Sequence, residues 1–372
     1  MEWPWTFPLT FSWIVLAQLA LGIPLGLSIA LRKGPIGLLR ASLCSIAIAF
    51  VAIASAVATR FLVSPSFFGV LTHAFAALLS VCISGASVIL FARRRSRPWA
   101  KAAAALAAAG LPVLAWACFV EPYALERIEV EVPLHVLRRG SEPIRVGVLS
   151  DLQTTRVASH EHAAVDLLLA EKPDIILLPG DLYQGPPERW EGVRDGFREL
   201  LQRLVAPGGV YLVPGDCDTN ARLGDLVLGT PVQLLIGESE LIRVRDRRVR
   251  LFGADLRRPA QSQLDAFARA GAASGDDVRI LLAHRPEIAM VVPLDAPLDL
   301  VVAGHTHGGQ VRLPGGIALV DLSPVPNRVG GGGLHYLGHQ LLYVSRGVGM
   351  ERSLAPRLRL GCRPEVSLLV LQ

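Results

Sequence analysis

The chain has 372 residues, of which 51% are apolar and 19% are charged, and its mean hydropathy is +0.43. Soluble globular proteins carry about 25% charged residues, so this composition predicts a membrane protein and excludes a disordered chain, while five cysteines are too few for a disulfide scaffold. The net charge of +5 comes from the first 120 residues, where nine bases accompany one acid, so it does not indicate a nucleic-acid partner.

Four charge-free stretches in the first third of the chain predict transmembrane helices. They cover residues 9–31, 41–59, 67–92 and 102–120, and about 20 residues suffice to cross a bilayer. The loops between them carry three, one and five bases, and basic loops stay on the cytoplasmic side. We therefore expect a multi-pass inner-membrane protein with its C-terminal domain outside the cytoplasm. If the alanine-rich fourth stretch does not insert, that domain becomes cytoplasmic.

The remaining chain has the pattern of an α/β domain over residues 143–372, after a linker and leading strand in residues 121–142. Helical periodicity over residues 160–171 and 189–204 separates short apolar runs, which predicts βαβ units. After Gly308, the segments GIALV, HQLLYVS and EVSLLVLQ predict a second sheet, and Gly330–Gly333 predicts a mobile loop. Five apolar runs end in polar clusters; they cover residues 144–151, 174–181, 209–216, 278–285 and 298–307.

The polar side chains at these five strand ends have the composition of a divalent metal site. In parallel sheets the carboxyl ends of the strands line the binding crevice. One Asp at a strand end is usually a turn or capping residue, but five consecutive ends with Asp or His are hard to explain by capping alone. The candidate ligands are Asp151, Gln153, Asp181, Asp216, His284, His305 and His307.

The order D-x-Q, G-D, G-D-C-D, H and G-H-T-H resembles the calcineurin-like metallophosphoesterase superfamily, whose usual pattern is D-x-H, G-D, G-N-H-D/E, H and G-H-x-H. The segments GHTHGGQVRLP, YVSRGVG and RPEVSLLVLQ are similar to its membrane-associated bacterial phosphodiesterases and phosphohydrolases. The resemblance covers residues 143–372. It implies two packed mixed β-sheets flanked by helices.

The resemblance also implies a two-metal centre in which Asp181 bridges the cations. One cation would be held by Asp151, Gln153, Asp181 and His307, and the other by Asp181, Asp216, His284 and His305. A metal-bridging hydroxide would then attack a phosphoester or a diphosphate. Mn²⁺ is the expected metal, with Mg²⁺, Fe or Zn²⁺ as alternatives.

Three residues depart from the usual pattern. Gln153 replaces His and so offers an oxygen ligand, which favours Mn²⁺ or Mg²⁺. Asp216 replaces Asn and adds a third carboxylate, which should strengthen cation binding and lower the Lewis acidity of the cations toward phosphate. Cys217 replaces the His that helps to protonate the leaving group, and Asp218 would be its proton relay. Because a thiol is a poor general acid near neutral pH, we expect the domain to favour good leaving groups.

Three further side chains are candidates for substrate binding. Arg285 and Arg346 would clamp a phosphate through paired N–H groups, or else form ion pairs. Tyr183 would line the substrate pocket or pack in the core.

Two alternative functions remain open at this point. The first is a pyrophosphatase for a nucleotide-diphosphate lipid on the cytoplasmic face of the membrane. The second is a metal-binding sensor with attenuated catalysis, because three site residues are changed. A lipid-linked substrate and the lipid bilayer are the expected partners.

Overall fold

The computed structural model describes residues 98–134, 140, 142–264, 278–293, 298–337, 340–352 and 355–372, with scattered positions between 68 and 86. The chain divides into two compact units, one formed by residues 1–120 and 351–357 and the other by residues 121–350 and 358–372. In the first unit, helix α1 (Pro98–Phe119) coincides with the fourth predicted span. No helix in the described part of the chain meets the length and hydropathy needed to cross a bilayer. The four-span prediction is therefore not confirmed, and its first two spans lie outside the described residues.

The second unit contains two six-stranded sheets. The first sheet has the order β1-β14-β2-β3-β4-β5, in which β2 to β5 are parallel and β14 runs antiparallel to β2 and parallel to β1. Its strands are β1 (Glu126–Val132), β2 (Ile144–Val148), β3 (Ile175–Leu178), β4 (Val210–Leu212), β5 (Val232–Leu234) and β14 (Glu365–Leu371). The predicted leading strand before residue 143 is thus an edge strand of this sheet.

The second sheet has the order β12-β13-β9-β8-β7-β6, with a parallel centre and antiparallel edge strands. Its strands are β6 (Ser239–Val244), β7 (Arg247–Gly253), β8 (Val278–Leu282), β9 (Leu300–Ala303), β12 (Gly333–Leu337) and β13 (Gln340–Val344). A separate hairpin of β10 (Arg312–Leu313) and β11 (Ile317–Ala318) follows β9. The mixed two-sheet architecture implied by the resemblance is confirmed.

The main core lies between the two sheets, because alternate residues of the buried strands point to opposite faces. In β3, Ile175 and Leu177 join the cluster that also contains residues of the second sheet. Ile176 and Leu178 face the other way, toward the helices α2 (Ser159–Ala170), α3 (Arg194–Gln202) and α4 (Asn220–Val227). Since both faces of these strands are buried, their sequences are continuously apolar rather than alternating.

Three local predictions differ from the structure. Of the three segments predicted to form a second sheet after Gly308, only HQLLYVS lies in it, as β13, whereas EVSLLVLQ forms β14 of the first sheet and GIALV contributes β11 of the separate hairpin. The helix predicted over residues 189–204 is shortened to α3, because a 3₁₀ turn at Pro187–Arg189 precedes it. The predicted mobile loop at residues 330–333 is wrong, since the short helix α5 (Asn327–Gly330) ends there and β12 begins at Gly333. Its glycines permit close packing, because a Cβ atom at Gly331 would lie 1.9 Å from the carbonyl oxygen of Gly316.

Candidate metal centre

The seven predicted ligands follow the carboxyl ends of five strands from both sheets. Asp151 and Gln153 follow β2, Asp181 follows β3, Asp216 follows β4, His284 follows β8, and His305 and His307 follow β9. Five of these residues have a positive φ, between 35° and 72°: Asp151, Gln153, Asp181, His305 and His307. Left-handed backbone is strained for residues with a side chain and concentrates at functional sites. The turns therefore hold their side chains inward at a conformational cost.

A first group of ligand atoms belongs to Asp216, His284 and His305, which all lie within 4.8 Å of one another. The Nδ1 atom of His305 is 2.9 Å from Oδ2 of Asp216. The Nε2 atom of His284 is 3.4 Å from the same oxygen. One carboxylate and two imidazoles at this spacing can surround a divalent cation.

A second group consists of Asp151, Asp181 and His284, whose ligand atoms also lie within 4.8 Å of one another. His284 Nε2 is 3.4 Å from Oδ2 of Asp181. Because His284 belongs to both groups, the two candidate subsites adjoin.

The remaining two predicted ligands are buried beside the second group. His307 Nε2 lies 3.9 Å from Oδ1 of Asp151, and the Gln153 side chain is inaccessible to solvent. Within the described part of the chain, neither ring nitrogen of His307 has a hydrogen-bond partner. Buried polar atoms normally have one, so this imidazole fits a metal ligand.

The orientation of His284 also suits metal binding. Its Nδ1 lies 2.7 Å from the carbonyl oxygen of Pro179 and donates a hydrogen bond to it. In the neutral imidazole the lone pair is then on Nε2, which faces Asp181 and Asp216. Metal-binding histidines are commonly fixed in this way by a hydrogen bond from the second ring nitrogen.

The carboxylates have strongly perturbed acidities. Burial and the neighbouring Asp181 charge raise the pKa of Asp151 to about 6. Burial also acts to raise the pKa of Asp216, but hydrogen bonds from His284, His305 and Arg285 outweigh it and lower that pKa. Closely spaced carboxylates in a buried site are a favourable environment for a cation, which offsets their mutual repulsion.

The pKa values of the two buried histidines shift in opposite directions. Burial lowers the pKa of His284, but Asp181 and Asp216 outweigh burial and raise it well above its ordinary value. Burial lowers the pKa of His307 well below its ordinary value. His307 is therefore a neutral imidazole, the form that binds metals, whereas a cation must displace a proton from His284.

Two glycines allow the backbone to approach the carboxylates closely. A Cβ atom at Gly215 would lie 2.1 Å from Oδ1 of Asp181, and one at Gly304 would lie 2.2 Å from Oδ2 of Asp151. Both distances are far below a van der Waals contact. Any side chain at these two positions would displace a ligand.

The G-D-C-D segment after β4 stabilises the turns that carry the candidate ligands. Asp218 is buried, and its Oδ2 accepts hydrogen bonds from the backbone N–H groups of Asp181, at 2.8 Å, and Gly215, at 3.0 Å, while its Oδ1 accepts one from Leu182. The predicted proton-relay role for Asp218 is therefore corrected, because these oxygens hold the loop. Cys217 contacts two ligands: its N–H donates to Asp181 Oδ1 at 2.8 Å, and its Sγ accepts from Gln153 Nε2 at 3.4 Å.

The three residues predicted to bind substrate occupy different environments in the structure. Arg285 lies at the site, where its half-exposed guanidinium forms two hydrogen bonds with Asp216. Arg346 is instead engaged in a buried ion pair with Glu365 and a second with Glu126. Its predicted role as a phosphate clamp is corrected, because the guanidinium already has these carboxylate partners.

Tyr183 packs in the core of the fold. The ring is buried, its hydroxyl donates to the carbonyl oxygen of Pro186, and it packs against Trp190 and Phe197. The predicted pocket-lining role is therefore corrected in favour of the packing alternative.

Two residues that hold the site and its neighbouring loops in place, Ser150 and Arg359, were not identified from the sequence. Ser150 donates a short hydrogen bond to the Asp151 carboxylate. Arg359 is fully buried and donates to the carbonyl oxygens of Arg346, Gly349 and Cys362. Neither a serine before Asp151 nor an arginine at position 359 stands out in the sequence, because their roles depend on which carboxylate or carbonyl oxygens the folded chain brings to them.

Comparisons with known proteins agree with this geometry. Residues 144–309 match the family model of the calcineurin-like phosphoesterases. Phosphodiesterase YaeI of Escherichia coli is 29% identical over 248 residues, covering 64% of this chain and 86% of YaeI. The metallophosphoesterase YkuE of Bacillus subtilis is 28% identical over 286 residues, covering 73% of this chain and 94% of YkuE. A putative metallophosphoesterase of Caenorhabditis elegans, F40B5.2, is 31% identical over 201 residues, covering 48% of this chain and 40% of that protein.

Proposed function

Because residues 144–309 form a calcineurin-like phosphoesterase domain, we propose that this protein is a two-metal phosphodiesterase. The observation that carries the proposal is the pair of adjoining ligand groups that share His284. A single group of three ligands would suit one structural or catalytic ion. Two groups in contact fit the paired cations that assist in-line displacement at phosphorus.

The residues divide between the two subsites according to their contacts. Asp151, Asp181, Gln153 and His307 would hold one cation. Asp216, His284 and His305 would hold the other, with Asp181 between them. His284 is close to Asp181 as well as to Asp216, so it also contributes to holding the bridging carboxylate in place.

When bound, the cations would polarise the phosphoryl oxygens and supply a nucleophile at neutral pH. The chain's own residues fix the geometry, because strained turns and backbone hydrogen bonds restrain the ligands before substrate arrives. Arg285, at the exposed edge of Asp216, would bind a phosphoryl oxygen through the N–H groups that its two hydrogen bonds to Asp216 do not use.

Neither of the two residues predicted to protonate the leaving group, Cys217 and Asp218, is suited to that role. Asp218 is committed to backbone N–H groups, and the Cys217 sulfur faces Gln153. General acid catalysis typically contributes about 10²- to 10⁴-fold in rate. We therefore propose that the substrate is a diester or diphosphate with a good leaving group, and that alkyl diesters turn over far more slowly.

The donor set favours Mn²⁺. Three carboxylates and one amide oxygen accompany three imidazoles, and oxygen-rich sites with some imidazole suit Mn²⁺ better than a thiolate-rich site would. Cys217, the cysteine beside the cluster, contacts Gln153 and Asp181 rather than joining either ligand group.

The proposed activity is tested by hydrolysis of bis(p-nitrophenyl) phosphate by the purified full-length chain with Mn²⁺. We expect Asp181→Ala and His284→Ala to lower kcat at least 100-fold, and chelation to abolish turnover. Asp195→Ala is the matched control, because this carboxylate lies on α3 with a side chain that is 84% exposed. Equal rates in all four proteins would identify a contaminating phosphatase and refute the assignment.

We also propose that the charge-free stretches anchor the domain to a membrane, with the C-terminal domain outside the cytoplasm. The support is the sequence: long uncharged stretches separated by loops that alternate in basic content. An alkaline phosphatase fusion at the C-terminus should then be active in cells. An inactive fusion, with the full-length chain still in the membrane fraction, would reverse the orientation. A chain recovered entirely without detergent would remove the anchor.

A further inference from the structure

Cys217 touches two proposed ligands in different ways. Its backbone N–H donates to Asp181 Oδ1 at 2.8 Å. Its sulfur accepts a hydrogen bond from Nε2 of Gln153 at 3.4 Å. The second contact is the informative one, because it involves the two positions at which this chain replaces the usual histidines of the family pattern.

A glutamine side chain has two chemically different ends. Its carbonyl oxygen can bind a cation, whereas its amino group only donates hydrogen bonds and repels a cation. Rotation about the last side-chain bond exchanges the two ends. A partner that accepts a hydrogen bond from the amino group therefore decides which end remains for the metal.

We propose that Cys217 is a positioning residue that directs the Gln153 oxygen toward the metal and thereby sets the metal preference of that subsite. This inference rests on the proposed two-metal function. The thiol sulfur occupies the amino end of the amide, so the oxygen is the end left to coordinate. An oxygen ligand in place of an imidazole shifts the preference from Zn²⁺ toward Mn²⁺.

The rest of Gln153 has little freedom, so contacts at the amide end decide the rotation that remains, and the Cys217 sulfur makes one of them. The side chain is fully buried, and the backbone is in the left-handed region with φ of 35°. The backbone N–H of Gln153 donates to the carbonyl oxygen of Asp181 at 2.8 Å. With main chain and side-chain stem restrained, the acceptor at residue 217 favours the amide orientation in which the amino group faces the sulfur.

The test is Mn²⁺ and Zn²⁺ affinity of the full-length protein, measured by electron paramagnetic resonance and competition titration. Loss of a residue that orients a metal ligand typically costs about 10- to 100-fold in metal affinity. We expect this loss of Mn²⁺ affinity in Cys217→Ala, with a smaller change for Zn²⁺. Cys217→Ser retains an acceptor and should remain within about threefold of the wild type, because a hydroxyl oxygen also accepts from an amide.

A double-mutant cycle with Gln153→His isolates the contact. An imidazole has no amino end to turn away, so Cys217→Ala should hardly change Mn²⁺ affinity in the Gln153→His background. Thermal unfolding of the metal-free variants checks that each one folds. If Cys217→Ala unfolds, the comparison of Cys217→Ser with Cys217→Val replaces it, with the loss expected in the valine variant.

The outcomes separate this inference from the proposed function. Unchanged Mn²⁺ affinity in Cys217→Ala, with or without a loss of turnover, would overturn the positioning role. Equal losses in both Gln153 backgrounds would overturn it as well. Failure of the wild type to bind Mn²⁺ more tightly than Asp181→Ala would instead refute the metal centre itself.

Discussion

Replacement of Gly304 by alanine tests whether the closely packed turns around the ligands are essential for metal binding. A Cβ atom at this position would lie 2.1 Å from Oγ of Ser150 and 2.2 Å from Oδ2 of Asp151. Ordinary carbon–oxygen contacts are longer by more than an ångström, so the Asp151 carboxylate must move. It would then lose its hydrogen bond from the backbone N–H of His305, which is 3.0 Å long.

The expected effects follow from this displacement. Overpacking of a rigid interior costs about 1–3 kcal/mol, which corresponds to a fall of roughly 2–12 °C in Tm for a domain of this size. Displacement of a metal ligand should also weaken Mn²⁺ binding by about 10- to 100-fold, the range seen when a ligand loses its orientation. Calorimetry of the metal-free protein and Mn²⁺ titration measure the two effects separately.

Gly224→Ala is the matched control, because it makes the same chemical change at an open position. Gly224 is exposed within α4, and a Cβ atom there would meet nothing within 4 Å. Alanine is the better helix former by about 1 kcal/mol, so this variant should unfold at a slightly higher temperature with unchanged Mn²⁺ affinity. If Gly304→Ala behaved like Gly224→Ala, the close approach of the turn to Asp151 would be refuted.

Three further predictions follow from the charges. Arg346→Met leaves Glu365 buried without its ion-pair partner, so urea unfolding should show a loss of about 3–5 kcal/mol in the free energy of unfolding. Arg127→Met, in an exposed pair, is the control and should leave the stability almost unchanged. Mn²⁺ affinity should fall as the pH drops through about 6, because burial raises the pKa of Asp151 to about 6 and the proton competes with the metal. Equal affinities in titrations at pH 5 and 7.5 would contradict this prediction. Arg285→Ala should tighten Mn²⁺ binding about two- to fivefold, as expected for loss of a partly exposed positive charge. Weaker Mn²⁺ binding by this variant in the same titration would reject the prediction.

In the metal-free protein, Asp151 has the opposite effect on folding. Its folded pKa of about 6 exceeds the ordinary value of 3.8, so the folded state holds its proton over a range in which the unfolded chain releases it. The contribution to stability is full below pH 4 and is lost as the pH rises to about 6. Metal binding reverses this trend, because it needs the ionised carboxylate.

The positions of the candidate ligands stand out in the sequence because each lies after an apolar strand. The order of strands and turns brings such residues together at one edge of the fold, as found for Asp181 and His284. The two-sheet architecture was implied by the family resemblance. Continuously apolar runs mark strands buried on both faces but do not say which sheet a strand joins, so EVSLLVLQ was assigned to the second sheet although it pairs in the first. Strands β6 and β7 were missed because arginines interrupt their apolar pattern.

The roles of Arg346, Tyr183 and Asp218 were not predictable, because each depends on partners that local sequence does not reveal. Arg346 pairs with Glu126, which is 220 positions away. The residue type alone allows either a phosphate clamp or a buried ion pair, and only the fold decides between them. Asp218 was misassigned for a similar reason, since its acceptor oxygens bind N–H groups from the turn after β3.

The pairing of Arg285 with Asp216 changes the effect of the third carboxylate on the net charge of the site. From the sequence, Asp216 adds one negative charge to a site that otherwise has Asp151 and Asp181. In the structure, Arg285 offsets that charge through two hydrogen bonds. The net charge of these four side chains is −2, equal to that of a site with two carboxylates and no arginine. The cations then need not lose Lewis acidity toward phosphate, so the substitution at 216 is compatible with an active enzyme as long as Arg285 is present.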